Sequence, residues 1–200
     1  MRDAFDARFA GNANGFDGDI EGMGQTGNIG SDCIRAWAVG STFGYTFAKV
    51  SWTPRLGVQF DAASGDQNPH DNVLQTFNPL FPSGYYFTLG NYTGYTNLIH
   101  VKPSVTVHPT NSLTLSFAVA AQWRETTADA VYTQGSIPVP GTAGQPGRYT
   151  GTYGQLDLNW AMTSHTSFAV KAVHFDVSDV IRRAGGRDSD YLGVQLAYGW

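Results

Sequence analysis

A formal net charge of −4 over 200 residues, from 16 acidic and 12 basic side chains, argues against nucleic acid as a partner. The single Cys33 excludes an intrachain disulfide, and no Cys or His cluster has the spacing of a zinc site. Mean hydropathy is −0.23, only 14% of residues are charged, and no stretch reaches the ~18 apolar residues a membrane helix needs.

A different membrane signal runs through the chain, an alternation of apolar and polar residues with period two. Residues 1–12 (MRDAFDARFAGN) hold no apolar run and no signal peptide, so 1–14 is expected to be irregular or incomplete. Either a leader has been removed or the chain is the later part of a longer polypeptide; the retained Met1 favours the second. Residues 15–25, rich in Gly and Asp, give the weakest strand. In 37–47 the odd positions Trp37, Val39, Phe43, Tyr45 and Phe47 are apolar and the even ones small. In 55–63, Leu56, Val58, Phe60 and Ala62 oppose Arg55, Gln59 and Asp61. In 97–108, Ile99, Val101, Val105 and Val107 oppose His100, Lys102, Ser104 and Thr106.

The clearest strand is 113–124. Leu113, Leu115, Phe117, Val119, Ala121 and Trp123 share one face, and Thr114, Ser116, Ala118, Ala120, Gln122 and Arg124 the other. In 155–162, Leu156, Leu158, Trp160 and Met162 oppose Gln155, Asp157 and Asn159. Residues 167–177 are apolar on both faces, which predicts a bulge or a packed lumen. The last strand, 191–200, alternates Leu192, Val194, Leu196, Tyr198 and Trp200 and stops on the aromatic, as outer-membrane barrels do. The fold class is therefore all-β, a transmembrane antiparallel barrel with about eight strands of about ten residues present. No linker-like composition shift divides residues 1–200, so one domain is expected.

The connections alternate in length, as barrels with short periplasmic turns and long outer loops require. Counting back from Trp200, the outer loops are 182–188, 126–147, 64–95 and a modest 26–33; the turns are 163–166, 109–112 and 48–53.

Several segments resemble the alginate export family of outer-membrane porins: 60–66 (FDAASGD), 77–82 (FNPLFP), 97–109 (NLIHVKPSVTVHP), 123–132 (WRETTADAVY) and the terminal strand. They cover about the last two-thirds of the chain in the family's order. The resemblance implies a barrel of about eighteen strands, lined by cationic side chains and passing an anionic polysaccharide such as alginate. The chain resembles the C-terminal part of such a porin. Eight strands closed on themselves would be filled by side chains and conduct no polymer.

For the conduit, Arg55, Lys102, Arg124 and Lys171 fall on lumen faces beside Gln59, Asp61, Gln122 and Asp157, with Arg148 at a strand mouth. Guanidinium pairs bidentately with carboxylate, which suits a uronate polymer. The plainer reading is that these cations neutralise lumen acids such as Asp61 and Asp157. The expected partners are the saccharide, outer-membrane lipid and periplasmic secretion partners. No cofactor, metal or catalytic residue is expected. The oxygen donors of 65–72 (GDQNPHDN) match no calcium loop, GMGQTG (22–27) opens no helix, and His165 or His174 near Ser167 reads better as interfacial than as catalytic. The run 77–92 reads as rim packing in preference to a constriction. A general or small-solute porin is the first alternative and a soluble β-barrel binding module the second. Detergent-free monodispersity would mark the module, and stronger block by uronates than by neutral sugars would separate the two channels.

Overall fold

The computed structural model describes residues 1–83 and 85–200. Nine long strands form one antiparallel path: β1 (Arg2–Ala13), β2 (Phe16–Ile29), β3 (Asp32–Thr46), β4 (Arg55–Ala63), β6 (Leu98–Thr110), β7 (Leu113–Trp123), β10 (Tyr149–Ala161), β11 (Thr166–Val177) and β12 (Ser189–Tyr198). The two-residue β5 (Val73–Leu74) adds parallel to β3, and β8 (Tyr132–Thr133) pairs with β9 (Ile137–Pro138) as a separate hairpin. A short helix, α1 (Asp179–Arg183), precedes β12. Among the described residues no helix is long and apolar enough to cross a membrane.

The strands exist for the reason the alternation suggests. Trp37, Phe43, Leu56, Val58, Phe60, Phe117, Val119, Leu156 and Trp160 stand exposed on one face, and Ala36, Ala38, Gln59, Asp61, His100, Ala118, Ala120, Gln122 and Tyr153 are buried on the other. An exposed apolar belt of this extent is a lipid-facing surface. Aromatics gather near the strand ends. Phe16, Tyr45 and Phe47 pack ring to ring beside the turns at 14–15 and 47–54, and Trp123 pairs with Tyr149 below the long loop.

Two expectations are corrected, and a third is decided between its two alternatives. The first residues are not irregular: β1 is paired with β2 from Arg2 to Ala13 through the turn Asn14–Gly15, both residues with positive φ (52° and 88°). Asn-Gly is the preferred type I′ hairpin turn. The outer connection expected at 26–33 is a tight turn at residues 30–31, because β2 and β3 stay paired as far as Ile29 and Asp32. Above the lipid both faces meet water, so the apolar alternation fades before the hydrogen bonding does. In β11 the register with β10 runs from Ala161/Ser167 to Gly151/Val177 without a shift, so its two apolar faces reflect a packed lumen and no bulge. Val173, Phe175 and Val177 point inward and form a cluster with Leu89, Tyr153, Val180 and Ile181.

Taking the side with long connections as outer, the outer links are 30–31, 64–97, 124–148 and 178–188, and the short turns 14–15, 47–54, 111–112 and 162–165 face the periplasm. The segment 64–97 does not pack on the rim. Phe77, Phe87 and Leu89 are buried against the inner wall, each side chain contributing about 1.5 to 3 kcal/mol to holding it there.

Candidate functional site

Register places the inward side chains on two levels. The lower level runs Arg55, Thr106, Ser116, Asp157, Lys171 across β4, β6, β7, β10 and β11. Arg55 reaches over Gly44 of β3 to ion-pair with Asp17 of β2, its Nε 2.8 Å from Asp17 Oδ1. The crossing requires Gly44, since a Cβ there would sit 2.2 Å from the guanidinium carbon. Asp157 accepts from Asn159 Nδ2 at 2.8 Å, and Lys171 lies directly opposite in the ladder, its Nζ 4.6 Å from the Tyr85 ring centre.

The upper level runs Arg8, Glu21, Gly40, Asp61, His100, Gln122. Here the inward segment docks. Tyr86 Oη donates to Asp61 Oδ1 at 2.7 Å, Gln59 Nε2 donates to Asp61 Oδ2 at 2.9 Å, and His100 Nδ1 lies 3.0 Å from the same oxygen. His100 Nε2 is 2.7 Å from Tyr153 Oη, which donates to the Phe87 carbonyl at 2.8 Å, and Lys102 Nζ reaches that carbonyl at 2.9 Å. Thr93 donates to Gln122 Oε1 at 2.8 Å. Burial, with Asp61 alongside, holds the Tyr86 hydroxyl above the ordinary phenol range, and it stays a donor.

Arg124 is the clearest departure from the sequence reading. It is fully buried and lines no passage. Its Nε donates to Gly147 O at 2.9 Å, Nη1 to Thr142 O at 2.6 Å, and Nη2 to Gly147 O at 2.7 Å and to Gln145 O. The guanidinium fork therefore ties the loop 124–148 to the end of β7. Of the eight residues expected to line the conduit, Arg55, Asp157 and Lys171 share the lower level. Gln59, Asp61, Lys102 and Gln122 lie beneath the inward segment, and Arg124 serves the loop.

Sequence reasoning passed over the acids of β1 and β2. Asp6, Asp17, Asp19 and Glu21 face inward with Arg8, which ion-pairs with Asp19. Inward acids (Asp6, Asp17, Asp19, Glu21, Asp61, Asp157) slightly outnumber inward cations (Arg2, Arg8, Arg55, Lys102, Lys171), so this wall is mixed in charge. The alternation Asp17, Asp19, Glu21 with Gly18, Ile20, Gly22 was visible, but glycines gave no apolar face to anchor it.

Among the described residues the catalytic and metal candidates do not assemble. His174 Nδ1 bonds Asp190 Oδ1 across β11 and β12 at 2.8 Å, His165 Nδ1 bonds the Gly199 carbonyl, and neither touches Ser167. In 65–72 the oxygens of Asp66, Asn68 and Asp71 accept backbone N–H groups two residues on. Residues 22–27 lie inside β2.

Two solved structures share the fold. A NanC porin in a rhombohedral crystal form aligns over 100% of this chain and 79% of its own, at 9% identity and TM-score 0.52. The outer-membrane OmpT of Vibrio cholerae aligns over 100% of this chain and 56% of its own, at 12% identity and TM-score 0.54. No curated protein sequence matches. The family profile described as alginate export matches residues 1–195. With an apolar outer face, a polar inner face and porin-like topology along that whole match, the chain belongs to the alginate export family of bacterial outer-membrane β-barrel channels.

Proposed function

We propose that this protein forms part of the wall of a channel that passes an anionic polysaccharide of the alginate type across the outer membrane by diffusion. The observation that carries the reading is the lower level of the lumen, where Arg55 is held by Asp17 while Lys171 faces the passage opposite Asp157. Conduction needs sites that attract the solute without retaining it. Cations tempered by neighbouring acids meet that need better than bare ones. Nine alternating strands make β1 and β12 run in the same direction, whereas bacterial single-chain barrels have even strand numbers. We therefore read the domain as part of a larger barrel.

The inward segment 64–97 favours a second reading, a general or small-solute porin, because it narrows the outer half of the passage. Planar-bilayer recording on the full-length channel separates the two. A polysaccharide conduit should be blocked by uronate oligomers far more than by neutral oligosaccharides of equal length, and Lys171→Glu should weaken that block and move the reversal potential toward cations. Equal block by both, unchanged by Lys171→Glu, overturns the anionic reading.

A further inference from the structure

A cavity of about 460 Å³ lies between the inner face of β1 and β2 and the inward segment. Two pins hold the segment over it. Gln25 clasps Asn78 in both directions, Nε2 donating to Asn78 O at 2.6 Å and Oε1 accepting from Asn78 N at 3.1 Å. Tyr86 is bonded to Asp61 on the far side. Between the pins the walls are of two kinds. Phe77, Tyr86 and Tyr95 present aromatic surface, the two tyrosine rings stacked with centres 5.6 Å apart and Phe77 edge-on to Tyr95 at 5.8 Å. Facing them are the carboxylates of Asp6 and Glu21, diagonal neighbours across β1 and β2.

The charge arrangement determines what such a cavity takes. Asp6 and Glu21 make no ion pair among the described residues. Of the nearby cations, Arg8 is ion-paired to Asp19, and Arg2, whose Nη1 donates to Gln25 Oε1 at 2.5 Å, is a single charge against the two carboxylates. Two like charges in a partly enclosed apolar space repel a carboxylated ligand and attract a cation. Aromatic faces favour an organic ammonium over a hydrated metal ion, through the ring quadrupole and the area they bury. The volume lies within the range of small-molecule sites, roughly 300 to 1,000 Å³.

We propose that this cavity is a binding site for an organic ammonium ion of monosaccharide size, with Asp6 and Glu21 meeting the charge and Phe77, Tyr86 and Tyr95 forming the apolar platform. The site goes beyond the polysaccharide reading and does not depend on it, since it selects the opposite charge. The test is calorimetric titration of the full-length protein in detergent micelles with glucosamine at a pH where its amine is protonated, with neutral N-acetylglucosamine, and with glucuronate. Glucosamine should bind at least about tenfold tighter than N-acetylglucosamine, an advantage of about 1.4 kcal/mol. Glucuronate should not compete, and the Asp6→Asn, Glu21→Gln double variant should lose the difference. Equal affinity for the charged and neutral sugars, or a double variant that keeps the preference, overturns the proposal. The three-ligand comparison on the native protein decides it even if the double variant does not fold.

Discussion

Arginine side chains in this protein do two different jobs that the sequence cannot tell apart. Arg55 and Arg124 both extend a polar alternating face, yet one is ion-paired across a glycine in the lumen and the other is enclosed by carbonyls of its own loop. What separates them is the position of Gly147, Thr142 and Gln145, which only the folded loop defines. Charge-assisted bonds are worth roughly 1.5 to 3 kcal/mol each, and removing the donor leaves buried acceptors unpaired. Arg124→Ala should therefore loosen residues 124–148 by about 3 kcal/mol or more while the strands persist. Faster hydrogen exchange confined to that loop is the expected result, and unchanged protection there would mean the fork is dispensable.

Asp188 gives a second residue-scale prediction. It accepts the Val177 N–H at 3.0 Å and pairs with Arg182 at 2.8 Å, and these contacts hold its carboxyl below the ordinary carboxylate range. A depressed folded value means that the stabilisation is present above the unfolded pKa of about 3.9 and is lost as pH falls through the folded value. Protection of the Val177 amide should accordingly decline only in acid below about pH 4. Asp188→Asn should remove that dependence.

At the scale of the element, the alternation was legible wherever one face met lipid. It read β4, β6, β7 and β12 to within a few residues, entered β10 only at Gln155 although the strand begins at Tyr149, and missed β1, where Phe5 and Phe9 are too widely spaced among small and charged residues to make a pattern. The turn chemistry of Asn14–Gly15 carried the missing signal. For β7 the expectation is sharp: in a Cys33→Ser background, needed because Cys33 is exposed, single cysteines along β7 should label alternately with a membrane-impermeant reagent. Phe117→Arg should cost about 2 to 4 kcal/mol if it meets the midplane of the lipid. Uniform labelling would remove the strand.

The inward segment was not legible, because its fate depends on partners from three strands. Gly40 is one such partner: a Cβ there would lie 2.7 Å from Tyr86 Oη and 2.8 Å from Tyr95 Oη. Gly40→Ala must push both hydroxyls away, weakening the Tyr86 to Asp61 bond while leaving β3 paired. Larger single-channel conductance with no loss of folded protein is the expected outcome. Conductance equal to the native channel would show that the segment does not narrow the passage.

On the whole-molecule scale, three of the four outer connections, 64–97, 124–148 and 178–188, are longer than any turn on the other side, and this asymmetry orients the protein in its membrane while burial decides which parts of the outer side are reachable. Among the long connections, 64–97 divides in two. Residues 67–72 are exposed beyond the strand ends, whereas Phe87, Thr88, Leu89, Thr93, Thr96 and Asn97 are buried against the wall. Exposed loops are where proteases cut, because cleavage needs several residues to leave their contacts and enter an active site. Segments held by buried aromatic rings and side-chain hydrogen bonds resist. Protease added to intact cells should therefore cut within 67–72 and at exposed residues of 135–148, spare 87–97, and leave the turns 111–112 and 162–165 untouched. After the outer membrane is permeabilised, the turn 47–54, exposed at Phe47, Val50 and Trp52, should become the new site. Cleavage at 47–54 in intact cells, with 135–148 protected, would invert the molecule in the membrane, and cleavage at 87–97 would place that segment outside the lumen.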